Sequence, residues 1–306
     1  QDITNQKEKE NKIKHLNRVL RTIRNINQLI DHEKDKGKLI SQACDFLTAR
    51  GYVSAWIALL DEDKKLLDSA SSGSDGKFEQ LKKQLKQGDL NECCQRALRK
   101  SEVVIISDRE EECGECPLIE EHLSEIAMTR RIDHMDKIYG YLTVYLPANF
   151  AADKKEQGLV EEIANDLGFA LYHIEIEKER KQNQAQIETE RNRLLAMFDG
   201  IEESIYVADP DSYKLLHVNK AFEKKWGSDV IGKKCYKVIQ NRDSPCPFCT
   251  NDKIFGDNIG ETYIWEFQNE RDKRWYRCAD KAIRWTDGRM VRFELASDIT
   301  DRKVAE

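Results

Sequence analysis

The chain has 306 residues, which is enough for about two domains at roughly 150 residues each. Its 50 basic and 56 acidic residues give a formal net charge of −6, and the mean hydropathy is −0.71. This balance argues against a nucleic-acid partner held by a broad positive field, and the sequence has no run of about 18 apolar residues that could span a membrane.

Residues 1–34 are predicted to form a charged helix whose apolar residues have the spacing of a coiled-coil seam. These residues are Ile13, Leu16, Leu20, Ile23 and Ile30. The pattern favours a homodimer through the helices, the alternative being an amphipathic helix that packs on its own domain. Because the chain starts with Gln1 and has no signal-peptide pattern, we expect a cytoplasmic segment cut from a longer protein.

Residues 35–152 are predicted to form a mixed α/β domain around an antiparallel sheet. Two strands joined at Asp61–Asp63 are expected after Gly51, followed by a helix over about 77–100. Further strands are expected near 103–107, 126–133 and 138–146.

Residues 153–198 are predicted to form one long connecting helix, because this stretch contains no proline. Its apolar seam ends at Ile174 and resumes at Ile187, and this step of thirteen residues is not a heptad spacing. We therefore expect either two helical registers of similar energy or a plain solvated linker helix.

Residues 199–306 are predicted to form a second domain, with strands at 204–208 and 215–218 and with Asn219 capping the next helix. Three more strands follow, the last two joined by a turn at Asp287–Gly288. The interior is predicted to be lined by Ile205, Val207, Phe222, Trp226, Tyr236, Trp265, Phe267, Trp275, Ile283 and Phe293. Core packing is the simpler role for these side chains. The candidates for ligand contact are Phe222, Trp226, Tyr236, Trp265 and Trp275.

The second domain resembles a PAS domain in its segment IYVADPDSYKLLHVNKAFEKKWG, its aromatic final strands and its closing ASDITDRK. The first domain is similar to a GAF domain in KIYGYLTVYLP and the following FAADKKEQGLVEEIANDLGFAL. The resemblance implies an α+β fold of two sensor domains with central antiparallel sheets, joined by long helices. The Asp-Ile-Thr sequence at residues 298–300 also occurs at residues 2–4, where it looks like the end of a preceding PAS domain.

Such a combination resembles the sensory and relay region of a sensor histidine kinase in two-component signalling. It implies a downstream kinase domain in the same chain, a response regulator as partner, and a signal carried by shifts in helix packing, with Asp298 and Thr300 as candidate relay residues. The segment itself shows no catalytic motif. The alternatives are a metal- or thiol-based redox sensor region of a diguanylate cyclase or a transcription regulator, and a scaffold for protein contacts.

Four of the nine cysteines form a group in the first domain. Cys113 and Cys116 have the two-residue gap of a metal knuckle, and Cys93 and Cys94 lie upstream at a spacing typical of a second pair of zinc ligands. Because adjacent cysteines rarely both bind one ion, His122 is a candidate fourth ligand. An iron–sulfur cluster, a dithiol–disulfide switch and ordinary core cysteines are the open alternatives.

The second domain carries another group, formed by Cys235, Cys246 and Cys249, with Cys278 as a candidate fourth thiolate. The CPFC sequence invites a glutaredoxin-like interpretation, in which Cys246 has a lowered pKa at a helix N-terminus. The surrounding elements lack the thioredoxin-like βαβ order, so a structural or sensory site that holds metal or switches by oxidation is preferred. The sequence has no CxxCH motif for covalent haem attachment. Non-covalent haem and flavin stay open as cofactors.

Overall fold

The computed structural model describes residues 29–306, except residues 31, 50, 75, 115, 123 and 149–152. The chain divides into two compact units between Gln182 and Asn183. Each unit is built on an antiparallel five-stranded sheet accompanied by helices, so the predicted α+β class is confirmed. The predicted coiled-coil seam before Leu29 and the Asp-Ile-Thr sequence at residues 2–4 lie outside the described residues.

The N-terminal domain has its strands in the order β2-β1-β5-β4-β3. Its elements are α1 (Lys36–Thr48), β1 (Ser54–Leu60), β2 (Leu66–Ser72), α2 (Phe78–Gln87), α3 (Glu92–Arg99), β3 (Val104–Ile106), α4 (Arg109–Glu112), β4 (Glu125–His134), β5 (Lys137–Pro147) and the start of α5 (Lys154–Asp199). The strand pair around Asp61–Asp63 and the strands predicted near 126–133 and 138–146 are therefore confirmed.

The single helix predicted over 77–100 is wrong, because the chain breaks it into α2 and α3. Gly88 ends α2 in the left-handed conformation, at φ 88°, and its N–H bonds back to carbonyls of the last turn. Glycine adopts this conformation without the steric penalty of a side chain, which makes it a common helix terminator. After the break, Asn91 is the N-cap of α3, and Cys93 and Cys94 follow in the first turn.

The N-terminal sheet is covered on both faces, so β1 is buried along its whole length. One face carries Ile57 and packs with α1 and with the buried seam of α5. The other face carries Trp56 and packs with α2, α3 and the four predicted cysteines. Helix α5 approaches the sheet closely at Gly168, where a Cβ atom would lie 2.3 Å from the carbonyl oxygen of Asp133.

The C-terminal domain has its strands in the order β7-β6-β10-β9-β8. Its elements after α5 are β6 (Ser204–Ala208), β7 (Leu215–Val218), α6 (Lys220–Trp226), α7 (Cys235–Gln240), α8 (Asn251–Ile254), a 3-10 turn (Gly256–Asn258), β8 (Thr262–Gln268), β9 (Trp275–Arg284), β10 (Met290–Asp298) and α9 (Thr300–Ala305). Asn219 caps α6 as predicted, since its side-chain oxygen accepts from the N–H of Phe222 at 3.0 Å. None of the helices in the described part of the chain is long and apolar enough to cross a membrane.

The face of this sheet that packs beneath α6 and α7 carries only some of the residues predicted to line the interior. Cross-strand pairing aligns Tyr206 with Glu294, and Glu294 with Asp280. Because side chains alternate along a strand, the predicted interior residues Ile205 and Val207 point to the opposite face. The covered face therefore carries polar and charged groups beside the predicted Trp265 and Phe267, which line its cavities, whereas the placement of Ile205 and Val207 on this face is wrong.

Candidate functional site

The C-terminal domain encloses a small cavity between its sheet and α7. Tyr236 and Trp265, two of the predicted ligand contacts, line it together with Cys235, Cys246 and Cys249. The volume is about 40 Å³, enough for about three water molecules. Ligand pockets commonly measure about 300–1,000 Å³, so haem or flavin does not fit this cavity in the conformation described.

A buried network of charged side chains lies against this cavity. Arg292 on β10 donates from Nε to Oδ1 of Asp280 at 3.0 Å, and its Nη2 pairs with the carboxylate of Glu294. Asp280 also accepts from Nε1 of Trp265 at 2.6 Å and from the hydroxyl of Thr250 at 2.9 Å. Asp280 is fully buried, and Arg292 and Glu294 are 6% and 5% exposed. The network thus satisfies charges that the domain interior would otherwise exclude.

Two carboxyl groups share one guanidinium here, so the network has one surplus negative charge when both are ionised. Burial and the neighbouring Glu294 raise the pKa of Asp280 to about 8. Burial also opposes ionisation of Glu294, but Arg292 and the hydrogen bonds from Asp280 and Tyr206 outweigh it and lower the pKa of Glu294. The pair therefore keeps one proton, on Asp280, near neutral pH, and the network is then neutral.

The cavity thiols lie in three different surroundings. Cys246 begins a turn in which the N–H of Cys249 donates to its carbonyl at 3.0 Å, whereas α8 begins only at Asn251. Cys246 is therefore not at a helix N-terminus, and burial raises its pKa to about 11, which contradicts the glutaredoxin-like interpretation. Burial raises the pKa of Cys235 to about 12, while Sγ of Cys249 accepts from Nη1 of Arg292 at 3.6 Å.

Cys278 lies on β9, in the wall of a second cavity of about 20 Å³ that Phe222 and Trp226 also line. Burial raises the pKa of the Cys278 thiol, which is hydrogen-bonded to Glu294. The structure thus gathers Cys235, Cys246 and Cys249 around the first cavity and places Cys278 in the second.

The predicted relay residues join the last strand to the last helix. Asp298 accepts from the N–H of Thr300 at 3.0 Å and from its hydroxyl at 2.6 Å, and Arg274 donates to the other carboxylate oxygen at 2.8 Å. Burial opposes ionisation of Asp298, but these bonds and Lys225 hold its pKa at about 2. Trp275, predicted as a ligand contact, lines neither cavity. Its backbone N–H donates to the Thr300 hydroxyl at 3.0 Å.

The cysteines of the N-terminal domain form a second candidate site. Cys93 and Cys94 lie in the first turn of α3 with their sulfur atoms 4.0 Å apart. Cys113 and Cys116 are joined by a turn in which the N–H of Cys116 donates to the Cys113 carbonyl at 3.1 Å. Nδ2 of Asn91 donates to Sγ of Cys116, also at 3.1 Å. Cys113 and Cys116 border an open pocket of about 400 Å³.

The contact between Cys93 and Cys94 affects the pKa of both thiols. It is the largest influence on the Cys93 pKa, and together with Thr129 and Arg109 it lowers that pKa against the effect of burial. The same hydrogen bond and burial raise the pKa of Cys94. Burial raises the pKa of Cys113, with Arg109 acting against it. Burial likewise raises the pKa of the Cys116 thiol, to about 12.

Arg109 is buried beside these thiols, with only 4% of its surface exposed. Its two terminal nitrogens donate to the carbonyls of His122 and Leu118 at 2.8 and 3.1 Å, and the guanidinium lies 4.8 Å from the centre of the Tyr145 ring. Its Nε finds no acceptor among the described residues, and the same is true of the buried hydroxyl of Tyr141.

His122, the predicted fourth ligand, stacks on Tyr145 with ring centres 4.3 Å apart and lies 4.0 Å from a carboxylate oxygen of Glu125. Within the described ranges, no three His, Cys, Asp or Glu side chains are gathered closely enough to hold a metal ion. A zinc or iron–sulfur site would therefore need the thiols to draw together.

Four charged residues of these two sites were not identified from the sequence, namely Asp280, Arg292, Glu294 and Arg109. Arg292 and Glu294 could have been found, because a strand in the middle of a sheet that carries charges at every second position has to bury them. Asp280 and Arg109 had no such signal, since Asp280 has uncharged residues two positions away on either side and Arg109 lies in an acidic run that is typical of an exposed loop.

A family model described as PAS domain matches residues 192–260, so this segment is similar to a PAS domain. The PAS domain of an HTR-like protein from Haloarcula marismortui is 21% identical, with a TM-score of 0.31 over 39% of this chain and 99% of that chain. No curated protein matches the sequence.

Two GAF domains of phosphoenolpyruvate-protein phosphotransferases are also similar. The one from Acinetobacter is 16% identical, with a TM-score of 0.41, and the match covers 51% of this chain and 94% of that chain. The one from Coxiella burnetii is 14% identical, with a TM-score of 0.42 over 53% of this chain and 96% of that chain.

Proposed function

We propose that this chain is the sensory and signal-relay region of a multidomain sensor histidine kinase, and that its C-terminal domain detects a ligand or redox signal at the cavity. The observation that supports this proposal is that strand β10 joins the cavity to the last helix. Arg292 and Glu294 of β10 form part of the cavity wall, and Asp298 at the end of the same strand holds Thr300 at the start of α9. A change at the cavity that moves β10 therefore reaches the last helix directly.

The three cavity thiols supply a direct test of this coupling. Cys246 and Cys249 are half-buried, so methyl methanethiosulfonate can add a methylthio group to either of them. We expect the modified chain to exchange the backbone amides of residues 298–305 faster than the untreated chain, as measured by hydrogen exchange and mass spectrometry. Cys246→Ser/Cys249→Ser should abolish the response and Cys44→Ser, in the other domain, should keep it. Unchanged exchange in the modified wild type would contradict the proposal.

The output is tested in the parent protein. The proposal is supported if the region beyond Glu306 autophosphorylates on histidine and passes the phosphoryl group to a response regulator. We expect Asp298→Ala to leave basal autophosphorylation in place but to remove its response to the thiol reagent. A cyclase or a DNA-binding domain in that position would instead support the second assignment, a thiol- or metal-based sensor for a diguanylate cyclase or a transcription regulator.

We also propose that the chain acts as a cytoplasmic homodimer through its helices. Ile187 and Leu194 lie one heptad apart on α5 and are 64% and 57% exposed, and Met197 is 57% exposed. Such exposed apolar side chains at heptad spacing favour pairing with a second helix.

A further inference from the structure

Cys246 and Cys249 are the two ends of a turn that brings their backbones close together. The N–H of Cys249 donates to the carbonyl of Cys246 at 3.0 Å, which closes a turn of four residues. The end Cα atoms of such a turn lie less than about 7 Å apart, and a disulfide bond spans about 4.4–6.8 Å between Cα atoms. Pro247 suits the second position, because its ring fixes φ at about −65°. One disulfide bond can therefore join the two ends of this turn.

The turn is attached to the sheet on the side of the cavity. The ring of Phe248 packs against Trp265 and Phe267, with ring centres 5.9 and 5.6 Å apart. Thr250, the residue after the turn, donates its hydroxyl to Asp280 at 2.9 Å. These contacts hold the turn against β8 and β9, so its two thiols keep a defined place beside the buried charges.

Arg292 makes the surroundings of the two thiols different. Its Nη1 donates to Sγ of Cys249 at 3.6 Å, while its other nitrogens bond to Asp280 and Glu294. A positive charge beside a cysteine stabilises the thiolate, which is the form that attacks an oxidant. Burial raises the pKa of Cys246 to about 11, so this thiol keeps its proton near neutral pH. Cys249 is therefore placed to attack first, and Cys246 is placed to complete a disulfide.

We propose that hydrogen peroxide oxidises this turn to a disulfide, with Cys249 as the attacking thiolate and Cys246 as the resolving thiol. The Cys249 sulfur attacks one peroxide oxygen, the O–O bond breaks, and hydroxide leaves as the sulfur becomes a sulfenic acid. The Cys246 sulfur then displaces the sulfenic hydroxyl, which leaves as water with the Cys246 proton. The two sulfur atoms together lose two electrons, and the peroxide gains them.

The cavity beside these thiols favours a small oxidant. Its volume of about 40 Å³ holds about three water molecules, and hydrogen peroxide has only two oxygen atoms. The disulfide of a peptide thiol such as glutathione is too large to enter it. As a signal, this oxidation rests on the proposed function, in which the cavity detects a ligand or redox change.

The test treats the reduced full chain with hydrogen peroxide, blocks the remaining free thiols and maps the peptides by mass spectrometry. We expect a disulfide between Cys246 and Cys249, and Cys235→Ser, which removes the third thiol of the cavity, should keep it. Cys246→Ser and Cys249→Ser are a matched pair for the first step. Dimedone should label a sulfenic acid at Cys249 in the first variant, and label Cys246 in the second at least about tenfold less.

The unsubstituted chain decides the chemistry without relying on the folding of any variant. Glutathione disulfide at the same concentration should form the bond at least about tenfold more slowly than hydrogen peroxide. The proposal is overturned if peroxide gives no disulfide, if either cysteine pairs with Cys235 instead, if glutathione disulfide reacts as fast, or if dimedone labels Cys246 and Cys249 equally in the matched pair. Failure of the proposed function looks different, because the disulfide would form while hydrogen exchange at residues 298–305 stayed unchanged.

Discussion

Replacing Arg292 with methionine should destabilise the C-terminal domain by about 3–5 kcal/mol, the cost of leaving a buried charge without its partner. Arg292 bonds to Asp280 through Nε at 3.0 Å and Nη2 at 2.9 Å, and it also pairs with Glu294. Methionine fills most of the same space, so little of the loss comes from a cavity. The two carboxyl groups would then face each other in the interior with no cation between them.

Denaturant unfolding followed by tryptophan fluorescence measures this loss. Four of the five tryptophans lie in the C-terminal domain, so the signal mainly reports that domain. Arg284→Met, at an exposed position on the same sheet, should change the free energy of unfolding by less than about 0.5 kcal/mol. The triple variant with Asp280→Asn and Glu294→Gln added should recover part of the loss, because no uncompensated charge remains. A loss below about 1 kcal/mol for Arg292→Met alone would refute the assignment of a buried ionic network.

Burial raises the pKa of Asp280 to about 8 from its usual 3.8, so over this range the folded domain keeps a proton that the unfolded chain has released. The free energy of unfolding should fall from about pH 5 to pH 8, by at most about 1.4 kcal/mol per unit, and Asp280→Asn should flatten this slope in denaturant titrations. Asp298→Ala should raise hydrogen exchange across residues 300–305 without lowering the thermal midpoint of the N-terminal domain. Gly168→Ala should lower that midpoint in calorimetry, because its Cβ would lie 2.3 Å from the Asp133 carbonyl oxygen. Leu194→Asp should halve the mass measured by light scattering if α5 pairs two copies, and an unchanged mass would contradict the pairing.

The order of helices and strands could be predicted from the sequence, because the hydrophobic periodicity and the turn-forming residues indicate it. Alternating apolar residues located the strands, and Asp287–Gly288 and Asn219 marked a hairpin and a helix cap. The prediction of one helix over 77–100 failed at Gly88, because the amphipathic pattern continues through the break although Gly88 ends the first helix in the left-handed conformation. Periodicity reports which residues are buried, and a left-handed glycine between two helices leaves that pattern almost unchanged.

The candidate site was harder to predict, because it depends on which side of a strand faces the helices. Apolar residues were assigned to the interior, so Val207 and Phe293 were preferred over Tyr206 and Glu294. In the structure both faces of β6 are buried, and the polar side chains occupy the face beneath α6 and α7. Hydrophobicity cannot distinguish two buried faces, whereas the pairing of Arg292 with Asp280 is set by strand register.

The energies in this network suit a switch. Moving a two-state equilibrium from 1:99 to 99:1 takes about 5.5 kcal/mol of differential interaction. Breaking one buried ion pair costs about 3–5 kcal/mol, so a signal that breaks the pair between Arg292 and Glu294 would supply most of that amount. Arg292 and Glu294 both lie on β10, and β10 ends at Asp298, which accepts a hydrogen bond from Thr300. Under the proposed function, a ligand, proton or thiol adduct at the cavity would reach α9 through β10.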